Sequence, residues 1–244
     1  MAFAHADSRP IRGAVATLGV SERVAFLRRT YAHLGGALIV WAVATALFMS
    51  TELSLRYVMW VGQGTMNMLL VLGGFIAAGY AAQAMATSQT SRLVQYLGLG
   101  LEIAAFTLLT QPALWIAYYY SNSAADFHTL VAQAAVVTGV IFGGLTATVF
   151  VTKKDFSFMR GALMIGTFAL IGIAVASMLF GFHIGILWSA AVILLMAGYI
   201  LYQTSLVLAH FPVGYHVAAA LMLFSTVATL FIQVLRVLSE LQRR

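Results

Sequence analysis

Cysteine is absent from the 244 residues, which removes disulfides, thiolate nucleophiles and cysteine-based metal sites at once. Charge is nearly as scarce. Only 8% of residues are Asp, Glu, Lys or Arg, whereas a soluble domain carries roughly a quarter. With 7 acids and 13 bases the chain cannot cover a water-facing surface, so a soluble enzyme, a nucleic-acid-binding module and a disordered protein are all excluded. Proline occurs only 3 times, so few positions compel a helix to break. What fills the chain is apolar: 62% of residues are hydrophobic and the mean hydropathy is +0.95. The solvent for most of this surface is therefore lipid. The net charge of +6 reads as loop charge on one side of a membrane rather than as affinity for nucleic acid.

A helix needs about 20 residues to cross the hydrocarbon core. A basic lead-in, residues 1–29, carries Arg9, Arg12, Arg23, Arg28 and Arg29 and lacks a signal-peptide pattern. A short amphipathic helix is expected at its end, around Ser21 to Arg29. Apolar spans are expected at Tyr31–Ser50, about Met66–Met85, from after Arg92 to about Thr110 (where Gln111-Pro112 interrupts) and about Leu130–Val151. No Asp, Glu, Lys or Arg then occurs over the 75 residues from Gly161 to Leu235, enough for three more crossings near 161–181, 184–209 and 216–236. Runs of Leu, Ala, Gly and Val without alternation favour helices over a barrel. The expected organisation is a tail at 1–29, a helical domain at 30–238 and a short tail at 239–244.

Orientation follows from Lys and Arg. Placing the N-terminus in the cytoplasm puts Arg92, Lys153, Lys154, Arg160 and the lead-in arginines inside, and leaves Arg56 alone in an outer loop. Arg236, Arg243 and Arg244 oppose this if the last segment crosses fully. Either that segment re-enters, or the bias tolerates them.

Glu102 stands out because a carboxyl near the middle of the third span costs a few kcal/mol to insert and is a functional candidate by default. The structural alternative is a Glu hydrogen-bonded to a neighbouring helix. His33, His183, His210 and His216 lie near predicted span ends, where imidazoles more often meet backbone carbonyls or headgroups than carry a function. Lys153, Lys154, Asp155 and Arg160 read first as loop charge, with contact to an anionic lipid or cytoplasmic partner as the functional alternative; Asp155 suits a helix cap. Gly139-x-x-x-Gly143 and the Gly73-Gly74 to Gly79 cluster are expected to allow close helix packing. No metal-ligand spacing and no nucleophile–base set appears; Ser177 with His183 is a pair only by composition. The expectation is a non-enzyme with no catalytic residues, no metal and no cofactor.

Four segments resemble one family in order along the chain. They are Phe26-Leu27-Arg28-Arg29-Thr30-Tyr31, Thr152-Lys153-Lys154-Asp155-Phe156-Ser157-Phe158-Met159, Ile200-Leu201-Tyr202-Gln203-Thr204-Ser205 running to His210, and Ala220-Leu221-Met222-Leu223-Phe224 through Leu230-Phe231. The family is that of Bax inhibitor-1. The resemblance implies an all-α membrane protein, a seven-helix transmembrane bundle with the last hydrophobic helix central, and roles in calcium leak or stress regulation. Calcium-leak members carry an aspartate pair on the sixth and seventh helices. The corresponding positions here are Gln203 and Thr226, which neither titrate nor offer a carboxylate to calcium. That departure resembles the bacterial branch that modulates a membrane-bound ATP-dependent AAA protease. The expected protein is thus a multi-pass regulator in a bacterial inner membrane, with the lipid bilayer and such a protease as partners. An ion leak through the bundle, with Glu102 as the titrating group, is the alternative.

Overall fold

The computed structural model describes residues 19–88, 91–181, 185–211 and 214–242. Arg9, Arg12, His183, Arg243 and Arg244 lie outside the described residues. Among these described residues eight α-helices follow in order: α1 Val20–Met49, α2 Glu52–Gly62, α3 Thr65–Ala86, α4 Arg92–Tyr120, α5 Ala124–Thr152, α6 Arg160–Phe180, α7 Ile186–Ala209 and α8 His216–Gln242. All but α2 are long and apolar enough to cross a membrane, and no strand occurs among the described residues.

Helix α8 is the axis. It packs against α1, α3, α4, α5 and α7, and its most apolar stretch is 78% buried where those of α3 and α6 are 6% buried. Its sequence explains this: Ala218, Ala219 and Ala220 admit neighbours closely, and Phe224, Leu230 and Leu235 fill the layers between them. It is one continuous helix of 27 residues, about 40 Å long, and makes no re-entrant turn. On the outside, Ile39, Val140, Phe168 and Leu194 are largely exposed, as lipid-facing side chains should be.

Three local expectations need correction. The stretch around Arg28 is no separate helix, because α1 runs unbroken from Val20. The outer loop expected to hold Arg56 is itself a helix, α2, started by the Thr51 hydroxyl accepting from the Ser54 N–H at 3.4 Å. The interruption at Pro112 does not occur either; α4 continues to Tyr120. There the fully buried Gln111 side chain donates to the Thr107 and Thr45 carbonyls, each at 3.2 Å, and accepts from Ser54 Oγ at 2.8 Å. A proline is tolerated in a membrane helix when side chains and neighbouring helices take up the polar groups around it.

The glycines also pack differently from the reading above. Nothing lies within 4 Å of where a Cβ would stand at Gly73, Gly74, Gly139 or Gly143. The tight seam is between α3 and α4, where a Cβ on Gly98 would fall 2.6 Å from the Ala82 carbonyl oxygen and 2.9 Å from the Ala86 nitrogen. A second close approach joins α6 to α7 at Gly198, against Leu163.

Candidate functional site

Successive residues on a helix point about 100° apart, so Gln203, Thr204 and Ser205 of α7 address three different neighbours. Gln203 faces α8: the Thr226 hydroxyl donates to its Oε1 at 2.8 Å, with the Met222 carbonyl a second acceptor at 3.2 Å. Both side chains are buried and neither carries charge. Thr204, fully buried, lies with Thr146 of α5 beside the Tyr31 hydroxyl of α1, yet none of these three hydroxyls makes a well-formed hydrogen bond. Ser205 donates to the Tyr202 carbonyl at 2.9 Å and accepts the Phe156 N–H at 3.3 Å, which moors the loop between α5 and α6.

That loop is short and polar. Lys153 ends α5 in a left-handed conformation, φ 52° and ψ 22°, its N–H bonded to the Val149 carbonyl at 2.9 Å. The Asp155 carboxylate accepts the Ser157 N–H at 2.8 Å and so starts the 3-10 turn Ser157–Met159 that leads into α6. Lys153, Lys154, Asp155 and Arg160 are all exposed, and none of them forms an ion pair among the described residues. Phe158, between them, is 78% exposed.

Glu102 lies apart. Ten residues into α4 it stands about 15 Å from that helix's start, the same depth as Thr226 on α8. It is 4% exposed and its Oε2 has no hydrogen-bond partner. The atom looks onto α3 at Gly79, where a Cβ would stand 3.8 Å away. No hydrogen bond joins Glu102 to Gln203 or Thr226 among the described residues. A cavity of about 570 Å³ between α1, α4, α5 and α8 is lined by Trp41, Leu114, Phe142 and Phe231, with Ser50 and His128 also on its wall; none of Glu102, Gln203 and Thr226 lines it. No three His, Asp or Glu side chains gather as a metal would require among the described residues.

The histidines hold what the sequence did not disclose. His33 of α1 and His216 of α8 meet edge to face with ring centroids 4.9 Å apart. His33 also bonds the Arg29 carbonyl oxygen through Nδ1 at 2.7 Å and Tyr96 of α4 through Nε2 at 2.8 Å. The available signal was topological: in an antiparallel bundle the starts of α1, α4 and α8 all reach one end. His210 at the end of α7 leaves Nδ1 without a partner.

A family model described as inhibitor of apoptosis-promoting Bax1 matches residues 23–243. An uncharacterized protein of Pseudomonas aeruginosa is 33% identical over 112 residues, 45% of this chain and 49% of that protein, so the chain spans about half the length of this relative. Protein lifeguard 4 of mouse is 27% identical over 94% of this chain and 91% of its own length. Bax inhibitor 1 of Schizosaccharomyces pombe is 28% identical over 93% of this chain and 81% of its own.

Proposed function

The chain belongs to the Bax inhibitor-1 family, and from that premise we propose that it is a non-enzymatic regulator in a bacterial inner membrane that acts by contact on a membrane-bound ATP-dependent protease. The observation that carries this reading is the uncharged Gln203–Thr226 hydrogen bond at 2.8 Å. Where a carboxyl pair would bind a proton or a cation, this pair does neither at any physiological pH. It leaves α7 and α8 clasped. Two residues further on, Ser205 moors a loop whose cations Lys153, Lys154 and Arg160 are exposed and without an ion pair among the described residues. The mainly apolar lining of the cavity supports the same reading, since an apolar cavity stays dry and offers ions no path. The basic lead-in and the Lys153 loop are the contact surfaces and face the cytoplasm.

The test is direct. Tagged protein cross-linked in bacterial cells should co-purify with the membrane-anchored AAA protease, and its overproduction should lengthen the half-life of a membrane substrate of that protease. Lys153→Gln with Lys154→Gln and Arg160→Gln should weaken both effects. An unchanged half-life together with no co-purification overturns the reading.

A second reading, an ion leak, is favoured by one observation: the unpartnered, buried Oε2 of Glu102. Purified protein in liposomes would then pass calcium or protons, and Glu102→Gln would alter the flux. Flux equal to that of protein-free liposomes refutes it.

A further inference from the structure

Where α1, α4 and α8 converge, cationic side chains gather with no carboxylate among them in the described residues. His216 is the first residue of α8 and Arg92 the first of α4, so two helix N-termini add their partial positive charge to the same spot. Arg29 of α1 and Arg92 both lie within electrostatic range of the His216 ring, as does His33. Neither guanidinium makes a hydrogen bond or an ion pair among the described residues, and both side chains are exposed. The acids near in sequence leave this charge unanswered. Glu22 lies about two turns before Arg29, Glu102 about 15 Å deeper along α4, and Asp155 is taken up by the Ser157 N–H.

Hydrogen bonding separates the roles of the two imidazoles. The partner of His33 Nδ1 is a carbonyl oxygen, which only accepts, so Nδ1 carries the proton. In the neutral ring Nε2 is then the acceptor and the Tyr96 hydroxyl donates to it. His33 is therefore saturated, and its ring is fixed between α1 and α4. His216 packs its ring against this support and makes no hydrogen bond among the described residues. The bias of arginines toward one side of a membrane accounts for Arg29 and Arg92 singly. It does not account for a buttressed imidazole, within electrostatic range of both, whose nitrogens make no hydrogen bond among the described residues.

We propose that the junction of α1, α4 and α8 is a binding site for a phosphate-bearing anion, with Arg29, Arg92 and His216 as its donors and the His33–Tyr96 pair as its support. Guanidinium groups match phosphate oxygens in pairs, and a helix N-terminus offers the same charge. The source is an anionic phospholipid headgroup. Each arginine stands at the start of an uncharged run, 30–50 on α1 and 93–101 on α4, which suits the headgroup level, and on the helix of Arg92 the side chains of Leu93 and Tyr96 are 68% and 46% exposed. A bound headgroup would tie the ends of α1 and α4 to the end of the central helix.

Full-length protein in neutral detergent would be titrated with phosphatidylglycerol, with phosphatidylcholine of matched chains, and with inorganic phosphate. Retention would be read by native mass spectrometry and stability by thermal melting. Phosphatidylglycerol should be retained over phosphatidylcholine by about tenfold or more and should raise the melting temperature. Each of Arg29→Gln and Arg92→Gln should reduce that preference about fivefold, and His216→Gln should reduce it further. Arg56→Gln, at the other end of the bundle, should leave it intact. Arg29→Lys with Arg92→Lys keeps the charge and the fold but loses the paired geometry, and should lie between wild type and the glutamine variants. If inorganic phosphate displaces the lipid, a soluble phosphate also fits; if it does not, the lipid is the ligand. Equal retention of the two lipids, or a preference that survives in the folded glutamine variants, overturns the proposal.

Discussion

The clasp between α7 and α8 should be asymmetric in energy. The Thr226 hydroxyl proton has two acceptors, Gln203 Oε1 at 2.8 Å and the Met222 carbonyl at 3.2 Å. If Gln203 is replaced by the similarly shaped Met, the hydroxyl falls back on the carbonyl of its own helix, and the loss should be about 0.5 kcal/mol. If Thr226 is replaced by Val, the hydroxyl disappears and Oε1 is left bare in a buried place. That should cost about 1–2 kcal/mol, because an orphaned acceptor carries its own desolvation penalty. The double variant should recover part of the loss, since it has no orphan. The coupling energy should fall between about 0.6 and 1.7 kcal/mol, the average and the maximum found for hydrogen bonds between membrane helices. Reversible unfolding in mixed micelles, followed by helical circular dichroism, supplies the four stabilities. A Gln203→Met loss equal to that of Thr226→Val, or a coupling within about 0.3 kcal/mol of zero, refutes the reasoning.

Gly98→Ala should lower stability by about 1–3 kcal/mol, because its methyl would stand 2.6 Å from backbone, while Gly100→Ala, which meets nothing within 4 Å, should be neutral or mildly stabilising; melting curves compare them. A single cysteine at position 154 should resist a membrane-impermeant thiol reagent in intact cells, and strong labelling would reverse the proposed orientation. Gln203→Asp with Thr226→Asp sets two carboxyls against each other across α7 and α8, and the pair would titrate as one unit. Liposomes carrying it should gain a calcium flux that varies with pH, and a flux no different from wild type would count against Gln203 and Thr226 as the positions that correspond to the aspartate pair.

Much of the architecture was legible because lipid imposes a simple rule: an uncharged run of sufficient length has to be a helix. The 75 residues from Gly161 to Leu235 could scarcely be anything but three crossings. Failures came where a local signal was outvoted by a distant partner. Thr51, Glu52 and Arg56 look like a break, yet α2 lies across the top of α4 because Ser54 finds Gln111 and Trp115 there, each at 2.8 Å. Pro112 looks like a stop, and the same glutamine prevents it. The glycine clusters misled because a glycine permits close approach without requiring it, and which face meets a neighbour depends on the rotation of the whole helix. At the site, the resemblance supplied the register that sets Gln203 opposite Thr226; composition alone could not have done so. The His33–His216 contact was hidden by a separation of 183 positions in the sequence.

The place of α8 at the axis bears on how the molecule comes into being. Ribosomes add about 5–20 residues each second, so on the order of ten to forty seconds separate the emergence of α1 from that of the helix it will pack around. Through that interval the inward faces of α1, α4, α5 and α7 have only lipid or one another for company. Threading into the bilayer and assembly of the bundle are therefore distinct events in time, the first spread along synthesis and the second held back until its keystone arrives. A chain halted after α7 would be fully inserted and yet have no centre. Such a product is what the membrane's own quality control exists to find.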